Sequence, residues 1–494
     1  MMFNKKVNLG IYFAVLLILS QINFEAISQT KTFDLQNAID YSLKNNRDIK
    51  IAVLEVDRAQ AAVGEAYGYA LPTVDFSASL SHYIEKMKMP FPDFRAMLTN
   101  ATNDFLYYGK YTYKKEDGSI GPMTEEEWNK NKLPMETILQ SFALANNYQA
   151  QFQVSQILFN SAVFTGIGSA GTYLETSKTM LKSQVSKTIL GVQKAFYNAL
   201  LMKEMFGVIK SSFNTFEETV KNIKLLYDQG IVSEYDYLQM KVQLENLKPR
   251  VLETENAYKL TLDALKLAMS MDKSEQIEIN GTYDVAKIDI PDLNSTIDEA
   301  MRKNLDIQSL EYKKKVDEAF VELNRSEYYP SLVAFGNYSF SGAADDFNFI
   351  NYRQSMVGLS LSFNLFNGGK TNKKVEQQLV NVLKTDEQIK TLKDAIALGI
   401  KSKLLDLQRI KENINSTLEN VNLSERAYRI AELRLKEGTG TQLELINAEQ
   451  AKRESILNKY KAINDYYNAK FELDNYLGII PNEYLINYKK ELEN

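Results

Sequence analysis

The chain has 494 residues, 45% of them hydrophobic and 24% charged, which is enough for a substantial folded core and too apolar for disorder. Its formal charge is -5 with no dense run of Lys and Arg, which excludes a nucleic-acid partner held by phosphate contacts. Without a single cysteine, and with His82 as the lone histidine, the chain lacks thiolate metal sites, cysteine nucleophiles and the usual general base, so it is not read as an enzyme and no cofactor is expected.

The N-terminus reads as an export signal over residues 1–28. Lys5 and Lys6 precede an apolar run from Leu9 to Leu19, and Ala26, Ile27 and Ser28 form a small-x-small cleavage site before Gln29. No later stretch approaches the roughly 18 apolar residues that a membrane-spanning helix needs.

From Leu35 the spacing predicts a short helix, a break at Asn46 and Asp48, and a longer helix ended by Pro72, with Asp48 as its N-cap. The same plan returns without a gap from Leu293 to Pro330. Ile39, Asp40, Asn46, Asp48 and Ile49 reappear as Ile297, Asp298, Asn304, Asp306 and Ile307, with Asp306 as the second expected cap. The chain is an internal duplication.

Each proline is followed by a pair of alternating segments. In copy one the predicted strands cover about 73–83 and 147–159. Val74, Phe76, Ala78 and Leu80 share one face of the first, opposite Asp75, Ser77, Ser79 and Ser81; Tyr148, Ala150, Phe152 and Val154 alternate with glutamines in the second. Between them lies an insert, residues 83–147, expected as a long surface loop with one short helix near the sequence TEEEW. In copy two the strands cover about 331–341 and 354–366, with Val357, Leu359, Leu361, Phe363 and Leu365 on one face of the last.

Such strands fit a half-buried soluble sheet or the wall of a transmembrane barrel with lipid on one side and water on the other. Polar faces nearly free of charge, and no comparable apolar helix face to cover the sheet, favour the barrel. Four strands cannot close, and an open edge cannot be left in lipid, so several chains must share one barrel; three chains give twelve strands and room for a lumen.

After the strands come long helical hairpins, 169–271 and 371–478, turning at Gly230 and Gly438. Their first helices run about sixty residues, roughly 90 Å at the α-helical rise. Pro249 is expected to interrupt the first return helix. Copy one thus covers 29–271, a linker covers 272–291, copy two covers 292–480, and 481–494 is a tail.

The ordered set of Asn-Asp helix starts, Pro72 and Pro330 before the outer strands, LFNGGK at Leu365 to Lys370 and glycine turns followed by Asp236 or Glu444 resembles the TolC-like outer-membrane efflux proteins, over about Thr32 to Ile480 without the insert. The resemblance implies an α+β membrane protein of the bacterial outer membrane. It would be a homotrimer with one shared 12-stranded β-barrel in lipid and a periplasmic α-barrel of helical hairpins. It would act passively in efflux or type I secretion with a periplasmic membrane-fusion adaptor and an inner-membrane pump of RND or ABC type. At the gate, Glu444 matches the first of the family's acidic residues and Asn447 stands where the second belongs; one helix turn apart, both would face the lumen, and a ring of Glu444 would attract cations. Asp236 matches the acid of the family's latch, but the Arg that would pair with it falls at Gly440, so the closed tip is expected to rely on other contacts. The alternative is an exported structural or adhesive coiled-coil protein with a soluble sheet.

Overall fold

A computed structural model describes residues 31–284 and 288–479; the proposed signal peptide and the tail at 481–494 lie outside the described residues. The chain forms two compact units. Among the described residues, one comprises 31–66, 165–324 and 369–479, the other 67–164 and 325–368.

Strand β1 (Lys31–Phe33) leads into helices α1 (Leu35–Asn45) and α2 (Arg47–Gly68). Asp34 caps α1 by accepting the Asn37 N–H at 2.7 Å. The break before α2 is made by Asn46, whose side-chain oxygen accepts the N–H groups of Asp48 and Ile49 at 2.9 and 3.1 Å. Its amide nitrogen donates to the carbonyl of Ala268 at 3.2 Å. The expected cap, Asp48, sits instead within the first turn of α2, where its charge suits the helix dipole. Asparagine takes the cap because this buried position must accept and donate at once, and a carboxylate only accepts.

Strand β2 (Thr73–His82) follows Pro72, and the insert then proves to be ordered. It contains β3 (Met89–Pro92), α3 (Phe94–Tyr108), β4 (Thr112–Lys114), β5 (Ile120–Pro122), α4 (Glu125–Asn131) and β6 (Thr137–Gln140), with β3 paired to β6 and β4 to β5. The expected helix near TEEEW is α4, with a capping box between Thr124 and Glu127. The helix α3 was not expected. Tertiary contacts hold it: Tyr107 stacks on Trp128 at 4.9 Å, and the Trp128 indole donates to Asp104 at 2.8 Å.

Strand β7 (Asn146–Asn160) runs directly into α5 (Ser161–Asp228), and α6 (Glu234–Ala268) returns. At the turn Gly230 has φ +76°, its N–H bonds Tyr227 and the next N–H bonds Leu226, the paired bonds of a Schellman stop. Helix α6 continues through Pro249 rather than breaking there. A proline removes one backbone donor, and the buried Leu244 and Leu247 beside it keep the helix in place. The linker carries a further strand, β8 (Ile277–Ile279), parallel to β1.

Copy two repeats the order as α7 (Leu293–Lys303), α8 (Leu305–Arg325), β9 (Ser331–Ala344), β10 (Ile350–Ser362), α9 (Lys370–Lys436) and α10 (Gln442–Tyr476). Asn304 repeats the role of Asn46: it accepts from Asp306 and Ile307 at 3.0 and 3.1 Å and donates to the Tyr476 carbonyl at 3.0 Å. Gly438 stops α9 as Gly230 stops α5, at φ +70°. Strand β10 ends at Ser362, so Phe363 and Leu365 lie beyond it, contrary to expectation. Each copy builds its own core, one around Ile39, Ile49, Val192 and Leu265, the other around Ile307, Ile400, Leu407 and Leu473.

Candidate functional site

The four long strands form one antiparallel sheet in the order β10, β9, β7, β2, so β10 and β2 are edges within the chain. The register aligns Val74 with Val154, Gly336 and Val357, and Phe76 with Phe152 and Tyr338. That face is apolar and uncovered: Val357 is 87% exposed and Leu361 69%. Along β10 it gives way to Ser355 and Arg353, the latter 5.8 Å from the Phe340 ring. The opposite face aligns Ser77 with Gln151, Ser339 and Gln354, and Gln149, Gln151 and Gln153 hydrogen-bond in a ladder at 3.1 and 3.4 Å. Pro72 and Pro330 stand immediately before β2 and β9. Two glycines permit close packing across this sheet, since a Cβ at Gly342 would meet Tyr148 at 2.4 Å and one at Gly358 would meet Phe335 at 2.9 Å. At the far ends of the strands Asp345 clamps both legs of the insert, accepting from Lys86 and from the Ala145 N–H at 2.8 Å. The Lys86 ammonium, then that N–H, hold its carboxyl below the usual range.

The residues expected at a gate lie at the two hairpin turns. Glu444 lies in the first turn of α10, where Thr441 caps the helix, and its carboxylate is 3.3 Å from the Arg434 guanidinium in the last turn of α9. Arg434 also donates to the Thr439 carbonyl at 3.2 Å. Asn447, one turn on from Glu444, is exposed. A Cβ at Gly440 would fall 2.9 Å from that of Arg434, so the chain closes over Arg434 with no room for a side chain. Asp236 is engaged locally, accepting from the Ser233 hydroxyl at 2.6 Å. Ile446 packs with Phe216, Ile223 and Met240, which joins the two hairpins of one chain through apolar contact.

Two groups here escaped sequence reasoning. The first is Arg434, which precedes its turn instead of following it. The second is a trio in which the buried Glu449 accepts from the buried Ser212 of α5 and from the half-buried Arg453 one turn along α10. The Glu449 to Arg453 spacing of four was a legible signal, whereas nothing marked Ser212 as a partner 237 positions away. Farther along α10, Glu472 lies between Lys194 at 2.5 Å and Lys403 at 2.7 Å. Burial works against its charge, but hydrogen bonds from the two lysines outweigh it and hold the pKa below the ordinary value. Asp474 has no such support; burial pushes it up against the weaker pull of Lys470.

Among the described residues no helix is long and apolar enough to cross a membrane. The family described as outer membrane efflux protein matches residues 296–479. The alkaline protease secretion protein AprF of Pseudomonas aeruginosa is 20% identical over 343 residues, covering 68% of this chain and 70% of that protein. The outer membrane protein TolC of Salmonella enteritidis is 18% identical over 342 residues, 67% and 69% of the two chains. The fold is that of the CmeC outer membrane channel of Campylobacter jejuni, with a TM-score of 0.70 at 18% identity over 93% of this chain and 89% of that one.

Proposed function

We propose that this chain is a member of the TolC-like outer membrane efflux proteins and serves as the outer-membrane exit duct of a tripartite efflux or type I secretion system, conducting substrates passively to the exterior. The observation that carries this is the sheet: an exposed apolar face, a polar face on which Asp75 is the one charge among the paired strand residues, and two unpaired edges. Unpaired edges cannot face lipid, so the sheet must be completed by further copies. Three chains supply twelve strands and a water-filled lumen. The hairpins form the periplasmic part, which a membrane-fusion adaptor and an RND or ABC pump engage. Glu444 and Asn447 face the lumen of that part, and the Arg434 to Glu444 pair takes the place of the latch that Gly440 and Asp236 lack. A soluble coiled-coil protein would need some cover for Val357 and Leu361, and none comes from the described residues.

Single-channel conductance of the detergent-extracted protein in planar bilayers tests the assignment. Discrete steps, with ion selectivity altered by Glu444→Gln, are expected. A protein that is soluble without detergent and gives no steps would overturn it.

A further inference from the structure

Helix α3, in the insert between β2 and β7, has its polarity inverted. Its polar side is turned inward. The Asn100 amide donates to the Leu133 carbonyl and its oxygen accepts the Leu133 N–H, both at 2.8 Å. Asn103 donates to the Asn131 carbonyl at 3.0 Å, and Tyr107 stacks on Trp128. With Ala96, which is buried, these residues follow one another at steps of four, three and four, a single stripe along the helix. The apolar side faces out. Phe94, Leu98, Ala101, Phe105 and Tyr108 are all exposed. Leu98 is 63% exposed and Tyr108 69%, and Phe105 is 62% exposed even with Tyr111 stacked on its ring at 4.7 Å. A helix in water buries its apolar stripe and shows its polar one. Helix α3 does the reverse along its whole length, so a further body must cover this stripe.

The spacing of the stripe indicates another helix. Steps of four, three, four and three keep a mean period of 3.5 residues, the repeat of helices that supercoil around one another. The root of the insert indicates which helix. The insert leaves β2 at His82, the end away from Pro72, and β2 is an edge of the sheet that only a neighbouring chain can pair. Its legs are fixed there: the Tyr83 N–H donates to the Ala145 carbonyl at 2.8 Å, and Asp345, just past β9, holds Lys86 and the Ala145 N–H. The insert therefore stands on the outer rim of the barrel, at a junction between chains. Twelve strands about 4.8 Å apart and tilted about 40° place the barrel wall roughly 12 Å from its axis. A compact body of about 65 residues has a radius of gyration of roughly 11 Å. Three such bodies on one rim have no room to stand apart.

We propose that the α3 stripes of three copies of this chain pack against one another as a three-helix cap over the outer mouth of the duct. Leu98 and Phe105, two turns apart, form successive layers of its core, and Phe94, Ala101 and Tyr108 fill the layers that alternate with them. The cap lies across the path by which substrates leave, so the duct has an outer barrier of apolar contacts in addition to the charged gate proposed at its inner tip. The cap rests on the exit-duct reading, which supplies both the three copies and the rim.

The chain has no cysteine, so single cysteines report on this contact. In isolated outer membranes, Leu98→Cys oxidised with copper phenanthroline is expected to give a covalent dimer, because three thiols in one layer can pair only two at a time. Glu125→Cys, exposed on α4, is expected to give none. In planar bilayers the double variant Leu98→Asp with Phe105→Asp, at two exposed positions, is expected to conduct more than the wild type. Discrete steps unchanged by the two aspartates, with no dimer from Leu98→Cys, would overturn the cap and leave the duct standing. A covalent product with a different protein would give the stripe to that partner and overturn the cap too. A protein soluble without detergent, with no steps from either form, would overturn the duct reading and the cap with it.

Discussion

At the scale of single residues, the repeated Asn-x-Asp near the start of each copy has a physical explanation in the double duty of Asn46 and Asn304. Each starts one helix and binds the carbonyl end of another, 222 and 172 positions away. Replacing either with Ala should cost about 2 kcal/mol, and Asp should recover only part of it, because it restores the cap acceptor without the donor. The midpoint of thermal unfolding in detergent checks this; equal midpoints for the Asp and wild-type forms would remove the donor from the account. Glycines divide in the same way. Gly230 turns in open space, so Gly230→Ala should cost only the left-handed backbone, about 1 kcal/mol. Gly478 has φ +64° and a Cβ there would lie 2.4 Å from the Lys303 carbonyl, so Gly478→Ala should cost at least about 2 kcal/mol by the same measurement. Asparagine and glycine were visible in the sequence as repeats; what they touch was not, since spacing says nothing about a partner so far away.

At the scale of elements, helix α10 carries charges of opposite pH behaviour. Glu472 has a folded pKa below its ordinary 4.5, so its contribution is present above that value and lost as pH falls through the depressed one. Asp474 has a raised folded pKa, so the native state favours its neutral form and ionisation at neutral pH opposes folding. Glu472→Gln should therefore lower the unfolding midpoint at pH 7 by an amount that shrinks as the pH falls below 4.5, whereas Asp474→Asn should raise it at pH 7 and lose that advantage in acid. Parallel pH profiles for the two variants would contradict the assignment. The trio at Glu449 is a stronger case: Glu449→Ala leaves the largely covered Arg453 without its counter-charge and should cost about 3 kcal/mol, and the double variant Glu449→Ala with Arg453→Ala should cost less than the sum of the two single losses. Additive losses would show that the pair is not coupled. Strand positions were legible to within a few residues because alternation is local, whereas α3 and the unbroken α6 depend on aromatic and leucine contacts made after folding.

At the scale of the whole molecule, the gate proposed above is a balance of charge. Each Glu444 sits beside an Arg434, so Arg434→Gln should strengthen cation preference, and Glu444→Gln should free the guanidinium and shift the channel towards anions. Reversal potentials under a salt gradient read both; identical values for the two variants would place the pair outside the conducting path. The sequence by itself determined the duplication, the two-faced strands and the glycine stops, because each is written in spacings of two to a few residues that backbone geometry reads directly. Only the tertiary structure decided that Arg434 faces Glu444, that Ser212 holds Glu449, and that α3 packs through its asparagines and leaves its apolar face bare, because those contacts join segments that no local period relates.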